Sequence, residues 1–281
     1  LVLLPCSARK PYSDSQSHRQ FYGAIAHRGH VVSMTSPIGV VPTELELTYP
    51  AQHYDAAVTG RWSASEVEFV AEILSRYLDR TDYPRIVAHV PEAGYRTVVE
   101  RATVGRDLDV TFTVADHPTT GDSLDRLSDA LDGEPTYSQA DRLERTVRAI
   151  ADYQFGEAAC DSLFDDPTIV GRYPRIQVEE AGAQVATLVP QYGTLAFTIA
   201  GARQWIESAV SALAVDIDDF VPHGNVLAPG VLDASDGIRP GDEVVVTGPS
   251  AFGVGRAVMS GPEMERSTRG VAVTVRHVEE R

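Results

Sequence analysis

Short apolar segments that alternate with helical patterns constrain the fold of the first 118 residues more than any other feature. The segments are residues 1–4, 30–35, 54–58, 85–90 and 110–115. Strands that alternate with helices are typical of βαβ units and of a mostly parallel sheet. We therefore predict an α/β domain over residues 1–118, with three layers and a mostly parallel sheet.

Two helices of this domain can be placed from local signals. Residues 17–26 form a short helix, and a second helix begins at Ser65, where Glu68 completes a capping box. Apolar residues at helical spacing follow Ser65 and define the face that packs on the sheet.

The loops that follow the strands are expected to meet at one edge of the sheet, because parallel strands end on the same side. In α/β proteins ligands bind in the crevice at that edge. The opening loop, residues 5–18, is joined there by loops at 36–43, 91–95 and 116–121. The opening loop carries a thiol, an amine, a phenol, four serine hydroxyls and an imidazole. We predict that it forms the functional site.

Cys6 and Lys10 are the first two candidates for catalysis. A cysteine after an apolar strand is more often a small core residue, but polar neighbours can favour a thiolate and position an electrophile. We therefore interpret Cys6 as a nucleophile. Lys10 is the only lysine among 24 lysine and arginine residues, so it is either one more surface cation or an amine whose task a guanidinium cannot perform. That task is to pair with a thiolate or to transfer a proton.

His18, Tyr12 and Ser15 complete the candidate site. His18 is the natural general acid or base because the ordinary pKa of histidine lies near neutral pH. The alternative is that His18 faces solvent on the helix after the loop. Tyr12 and Ser15 can orient a substrate by hydrogen bonds, or they are ordinary turn residues, since serine is common in turns.

The remaining chain divides into three parts by pattern. Residues 119–164 are predicted to be a helical connector, interrupted near Gly133. Residues 165–206 carry three short alternating strands from Arg172 onward and a helix, which indicates a small α+β domain. Residues 207–281 contain evenly spaced short strands with glycine and proline turns, which favour a compact β-barrel.

Composition limits the cofactors and the location of the protein. The chain has two cysteines, Cys6 and Cys160, with no C-x-x-C motif and no cluster of histidine, cysteine and carboxylate residues. We therefore predict no metal site and no bound cofactor, and we interpret Cys160, among apolar neighbours, as a core residue. The absence of a long apolar run and of a secretory start predicts a reduced, cytoplasmic protein that does not span a membrane. Because the sequence begins on a strand at Leu1, we interpret it as part of a longer product.

The net charge of −16 would ordinarily argue against nucleic acid as a partner. The acidic excess, combined with the preference for arginine, is typical of the surface of a halophilic protein. In molar salt the Debye length is about 3 Å, so the net charge would hardly repel a phosphate backbone. RNA binding is therefore compatible with this composition. Arg239, Arg256 and Arg276 in the predicted barrel are candidates for phosphate contacts, although arginine on a small barrel is often only solvated surface.

The string Pro5-Cys6-x3-Lys10-Pro11-Tyr12-x2-Ser15-x2-His18 resembles the signature of the archaeosine synthases, in particular their alpha-type subunit, which is related to archaeal tRNA-guanine transglycosylases. All seven fixed positions are present. Residues 207–281, with GNVLAPGV and RPGDEV, resemble a PUA domain, a small RNA-binding barrel. Residues 165–206 resemble the domain that precedes it in archaeal transglycosylases.

This resemblance implies that the chain acts on tRNA. In the family, an amine is added to the nitrile of 7-cyano-7-deazaguanine in the D-arm. Lysine is the expected amine donor and glutamine or ammonia the alternative. The resemblance also implies a separate radical-SAM partner that cleaves the lysine adduct, and a transglycosylase-like half that this chain lacks. It points to Cys6, Lys10, Tyr12, Ser15 and His18 as the catalytic set. Two other functions stay open: base exchange by a transglycosylase, and a non-catalytic tRNA-binding module.

Overall fold

The computed structural model describes residues 1–54 and 61–281. The strand predicted at 54–58 therefore lies almost entirely outside the described residues. The described chain divides into two compact units, Leu1–Thr146 and Val147–Arg281.

A five-stranded sheet forms the centre of the first unit, with the strand order β3-β2-β1-β4-β5. The strands are β1 (Val2–Pro5), β2 (Val31–Thr35), β3 (Gly39–Pro42), β4 (Arg85–Ala88) and β5 (Asp109–Phe112). β1, β2, β4 and β5 run parallel, and β3 pairs antiparallel with β2. The mostly parallel sheet is confirmed. The prediction of a plain loop over 36–43 is wrong, because part of that segment extends the sheet as an antiparallel edge strand.

Helices cover both faces of this sheet. They are α1 (Gln16–Ile25), α2 (Ala64–Asp79), α3 (Thr97–Thr103) and α4 (Gly121–Asp129). β1 is buried on both sides: Leu1 and Leu3 lie in the core with α2 and α3, whereas Val2 and Leu4 lie in the core with α1 and α4. This alternation follows from the two-residue period of a strand. The three-layer arrangement is therefore confirmed.

The start of α2 differs from the prediction. Ser63 caps the helix, its side chain accepts a hydrogen bond from the Glu66 backbone, and the Glu66 carboxylate accepts one from the Ser63 backbone. The capping box is thus Ser63 and Glu66 rather than Ser65 and Glu68. Both serines have an acidic residue three positions later, so the local pattern alone does not choose between them.

The second unit contains two sheets. The first is antiparallel and comprises β6 (Thr168–Arg172), β7 (Arg175–Glu180), β8 (Ala183–Val189) and β9 (Thr194–Phe197). β6 extends the three strands predicted in this region to four. The helices of the remaining chain are α5 (Gln139–Phe155), which contains the boundary between the units, α6 (Ala159–Leu163), α7 (Ile199–Glu207) and α8 (Gly261–Arg266).

The C-terminal sheet has six strands in the order β11-β15-β14-β13-β10-β12. They are β10 (Ala214–Ile217), β11 (Asn225–Leu227), β12 (Val231–Ala234), β13 (Glu243–Thr247), β14 (Ala251–Ala257) and β15 (Val271–Glu280). Its core is made largely of valine, alanine and isoleucine, residues that suit a pleated and buried surface. The expected β-rich domain is confirmed at the C-terminus.

Candidate active site

Cys6 lies immediately after β1, at the carboxyl end of the parallel strands. Its backbone N–H donates to the carbonyl of Met34 at 3.1 Å, which continues the ladder between β1 and β2 for one more residue. The thiol is half-buried, and its Sγ lies 3.1 Å from the Tyr95 hydroxyl. The first candidate residue is therefore held rigidly by the sheet and keeps partial access to solvent.

Tyr95 comes from the turn Glu92–Arg96 that follows β4. Gly94 has φ +76° in this turn, a left-handed conformation that glycine adopts without a steric penalty. The Tyr95 ring is buried and packs against Trp62, with ring centroids 4.2 Å apart. Burial raises the pKa of Tyr95 and the nearby Cys6 raises it further. The phenol is thus protonated and able to donate a hydrogen bond at neutral pH.

A second group of hydroxyls lies beside the thiol. The Tyr54 hydroxyl is 2.5 Å from that of Tyr12 and 2.8 Å from Thr35 Oγ1. Burial raises the pKa of both tyrosines, and Cys6 adds to the rise in each. Lys10 Nζ lies 3.9 Å from the centroid of the Tyr54 ring, on its face, a geometry in which the ring attracts the cation.

Ser15 and His18 occupy the interior. Ser15 caps α1, and its Oγ accepts a hydrogen bond from the His18 backbone at 3.1 Å. The His18 ring reaches Ser15 Oγ at 3.0 Å and Ser33 Oγ at 3.3 Å and stacks on Tyr12 with centroids 5.0 Å apart. It has no solvent exposure, and burial lowers the pKa of His18 to about 4.

The predicted set therefore divides into two layers. Cys6, Lys10 and Tyr12 surround Tyr54, whereas Ser15 and His18 lie beneath Tyr12. His18 is neutral at pH 7 and is neither the solvent-exposed helix residue nor the accessible acid or base that the sequence offered as alternatives. Its ring supports Tyr12 instead.

Tyr54 and Tyr95 were not among the predicted residues. Tyr95 lies in the loop 91–95, which the strand pattern did assign to the same edge as Cys6. No local motif distinguishes either tyrosine from the others in the chain, so only the fold reveals them.

A cleft of about 610 Å³ opens beside the opening loop. It is lined by residues 7–9 and by the first turns of α1, including Ser15, Ser17 and Arg19, with Thr119 from the loop after β5. Loops after β1 and β5 thus contribute to one crevice, as the parallel sheet requires.

The three arginines predicted to bind RNA have different surroundings. Arg239 is exposed and lines a cleft of about 340 Å³ with Tyr153, Thr194 and Gly241. Arg256 donates to the Gly241 carbonyl at 3.1 Å and lies over the Tyr192 ring. The guanidinium of Arg276 pairs with the buried carboxylate of Glu243 and donates to the Phe197 carbonyl. The half-buried Arg276 guanidinium is therefore already paired with groups of the protein itself, in contrast to that of Arg239.

The described residues, 1–54 and 61–281, contain no group of three or more histidine, cysteine or carboxylate side chains arranged to hold a metal ion. None of their helices is both long and apolar enough to cross a bilayer.

Three family descriptions match successive parts of the chain. Residues 1–131 match a domain of unknown function (DUF5591). Residues 145–211 match the patch-forming domain C2 of tRNA-guanine transglycosylase, and residues 216–278 match the PUA domain.

Relatives match the chain along its whole length. It is 60% identical over 284 residues to a protein of Haloferax volcanii named archaeosine synthase, covering 100% of this chain and 48% of the relative. It is 47% identical over 293 residues to the archaeosine synthase subunit alpha of Methanosarcina acetivorans, covering 99% of this chain and 46% of the relative. The chain thus spans about half the length of the curated relatives it matches.

A solved structure shares the fold. The crystal structure of a protein of unknown function superposes with a TM-score of 0.80 and 33% identity, covering 99% of this chain and 93% of that one. The two units therefore occur together in another protein of nearly the same length.

Proposed function

The chain belongs to the archaeosine synthase family, and we propose that it acts on tRNA by adding an amine to the nitrile of 7-cyano-7-deazaguanine in the D-arm. The observation that carries this proposal is the grouping of Cys6, Lys10 and Tyr12 around Tyr54 at the carboxyl edge of the sheet. These are residues of the signature that the sequence shares with the family.

In the proposed reaction, Cys6 is the nucleophile. Its sulfur forms a bond to the nitrile carbon, one π bond of the nitrile breaks, and the thiol proton ends on the nitrile nitrogen, which gives a thioimidate. The nitrogen of the incoming amine then bonds to the same carbon, the C–S bond breaks, and the amine proton returns to the sulfur, which leaves an amidine. Dividing the addition into two steps lowers the barrier of each. The half-buried position of Cys6 supports this role because the sulfur keeps access to a substrate.

Lys10 contributes a positive charge at the rim of the site. Its ammonium lies on the Tyr54 ring and also reaches the Ala8 carbonyl at 3.4 Å. The charge is placed to attract the nucleotide phosphates near the extruded base or to exchange a proton with the reacting nitrogen. Ser15 and His18 act indirectly, by holding Tyr12 and the start of α1.

The second unit supports tRNA as the substrate. Its C2 match describes a domain of tRNA-guanine transglycosylase, and its PUA match agrees with the RNA-binding barrel that the sequence resembles. Arg239 has no ion pair among the described residues. We propose that Arg239 contacts the tRNA backbone.

We also propose that lysine, or else glutamine or ammonia, supplies the amine. A separate radical-SAM protein then processes a lysine adduct, and the reaction takes place in the cytoplasm.

The two alternatives receive less support. Base exchange requires a catalytic domain of a different kind, usually an eight-stranded (β/α) barrel, whereas the described part of the first unit forms a five-stranded open sheet. A module that only binds tRNA does not require a partly accessible thiol beside two phenols and an ammonium. The geometry therefore favours catalysis.

The test is mass spectrometry of tRNA that carries 7-cyano-7-deazaguanine after incubation with the protein and either lysine or glutamine. The expected product is heavier by the whole mass of lysine. The Cys6→Ala variant should form no product, whereas Cys160→Ala, which changes the buried cysteine of the second unit, should behave like the parent.

The Lys10→Arg variant distinguishes attraction of phosphates from proton transfer by Lys10, because arginine keeps the charge but cannot transfer a proton. Unchanged tRNA mass with every amine would contradict the proposed function.

A further inference from the structure

Three phenols lie around the Cys6 thiol, but their hydroxyls have different hydrogen-bond partners. The hydroxyls of Tyr12 and Tyr54 bond to each other, and that of Tyr54 also bonds to Thr35. The Tyr95 hydroxyl lies 3.1 Å from Sγ, and the Cys6 backbone also hydrogen-bonds to it. Within residues 1–54 and 61–281, Tyr95 is thus the one phenol whose hydroxyl hydrogen-bonds to the thiol.

The surroundings of Tyr95 fix this orientation. Its ring is 3% exposed and packs on Trp62, and Gly94 precedes it in a left-handed conformation. A side chain at position 94 would place its Cβ 3.3 Å from Trp62 Cβ. The backbone of this turn and the indole therefore hold the phenol against β1 with little freedom to rotate away.

We propose that Tyr95 is the direct partner of Cys6 in catalysis: its hydroxyl donates a hydrogen bond to the sulfur when the sulfur is a thiolate, and it relays the thiol proton. In the first step, the thiol proton passes to the phenol oxygen while the phenol proton passes to the nitrile nitrogen, so Tyr95 ends unchanged. In the second step, the same hydroxyl donates to the sulfur as the C–S bond breaks. The relay rests on the proposed function, whereas the thiolate hydrogen bond does not.

The geometry suits a phenol in this position better than a carboxylate or an imidazole. Burial and the neighbouring thiol raise the pKa of Tyr95, so the phenol stays protonated and can donate a hydrogen bond at neutral pH. The groups that face Cys6 are Tyr12, Tyr54 and Tyr95, and the Lys10 ammonium lies on the Tyr54 ring. Among these groups, only the Tyr95 hydroxyl lies within hydrogen-bond distance of the sulfur.

The experiment measures the rate at which iodoacetamide alkylates Cys6 as a function of pH, scored by mass spectrometry of the peptide that contains Cys6. In Tyr95→Phe, the midpoint of this profile should move upward by about one pH unit, because a hydrogen bond to a charged group is lost. Turnover of nitrile-bearing tRNA should fall by about 10²-fold. The matched control is Tyr83→Phe, which removes a half-buried hydroxyl that bonds to His30 and Tyr77 in the same unit and should change neither quantity.

A second measurement requires no change at Tyr95. In protein labelled with ¹³C at the tyrosine Cζ, the Tyr95 signal should show a titration step at the midpoint of the alkylation profile, and Cys6→Ala should abolish that step. An alkylation midpoint in Tyr95→Phe equal to that of the parent, or the absence of the step, would overturn the proposal.

The two proposals can fail separately. If the alkylation midpoint moves as expected but no amine is added to tRNA, the thiolate partner stands and the proposed substrate is wrong. If amine addition proceeds in the parent and Tyr95→Phe retains full turnover and an unchanged midpoint, the assignment of Tyr95 is wrong and the substrate stands.

Discussion

Burial separates the titratable side chains of the site into two groups. Cys6 and Lys10 keep contact with solvent, whereas His18 has none, and within the described residues its ring bonds only to the hydroxyls of Ser15 and Ser33. A charged imidazole in such a place would lose its hydration without gaining a carboxylate partner. The folded state therefore favours the neutral form of His18.

This burial predicts a specific dependence of stability on pH. The unfolded chain protonates His18 below about pH 6.5, whereas the folded chain does so only below about pH 4. Between these values the unfolded state binds more protons, so stability decreases as the pH falls from 6.5 to 4. The full effect is on the order of 3 kcal/mol. Urea unfolding at a series of pH values measures it.

The variant His18→Gln should reduce the slope of the free energy of unfolding against pH within this window. His89 is also buried, and burial lowers its pKa, so part of the slope should persist. The control is His117→Gln, since His117 is exposed in the same unit and should leave the slope unchanged. An equal slope in His18→Gln and the parent would show that His18 accepts its proton as readily in the folded state as in the unfolded state.

The sequence predicted where the candidate residues lie better than how deeply each of them is buried. Cys6 follows an apolar strand, and this local pattern is enough to predict that it lies at the edge of the sheet. The burial of His18 could not be predicted, because it depends on how α1 packs on β2 and on Tyr12. Tyr54 and Tyr95 reach the site from other loops. They are far from Cys6 and Tyr12 in the sequence, so their contacts cannot be predicted without the fold.

The turn after β4 connects the fold to the proposed chemistry. It is short, it carries one left-handed glycine, and it presents Tyr95 to the neighbouring strand. Gly94 and Gly105 have the same φ of +76°, but a Cβ at Gly94 would press on Trp62, whereas a Cβ at Gly105 would meet no atom within 4 Å. A side chain at either position strains the backbone, but only a side chain at position 94 also contacts Trp62, next to Tyr95. Comparing the two variants therefore distinguishes the effect of backbone strain from the effect of moving Tyr95.

We expect Gly94→Ala and Gly105→Ala each to lower the free energy of unfolding by about 1–2 kcal/mol, because both force alanine into the left-handed region. Only Gly94→Ala should also displace the turn and slow the alkylation of Cys6 and the turnover of tRNA. Urea unfolding and the two rate measurements provide the comparison. Equal rates in the two variants would mean that the turn tolerates a side chain without moving Tyr95.

Strands and helices with several residues of clear pattern were predicted, whereas the edge strands β3 and β6 were not. β3 contains Gly39 and ends in Pro42, and both residues ordinarily mark loops. It exists because it pairs with the edge of β2. β6 contains Gly171 with φ +92° and is stabilised by its long ladder with β7. In both cases a neighbouring strand overrides weak local propensity, as is common for strands.

The negative net charge of the molecule limits how an anionic partner can bind. A net charge of −16 opposes an approaching phosphate backbone at low salt, and screening shortens the range of this repulsion to about 3 Å at 1 M. In the proposed complex with tRNA, phosphate contacts must then come from individual cations that are not already paired. Arg276 is committed to Glu243, and Arg256 to Gly241 and Tyr192, so Arg239 is the strongest of the three candidates.

Charge reversal at Arg239 therefore tests directly whether the second unit contacts a tRNA phosphate through this residue. Arg239→Glu should weaken tRNA binding several-fold and reduce the slope of log Kd against log salt by about one, because one phosphate contact is lost. Arg101→Glu is the control: Arg101 is an exposed arginine of the first unit, and its reversal changes the net charge by the same amount. Binding measured over a range of potassium chloride separates a local contact from long-range repulsion. If both variants weaken binding equally and leave the salt slope unchanged, Arg239 acts only through the net charge, and the tRNA surface of the second unit lies elsewhere.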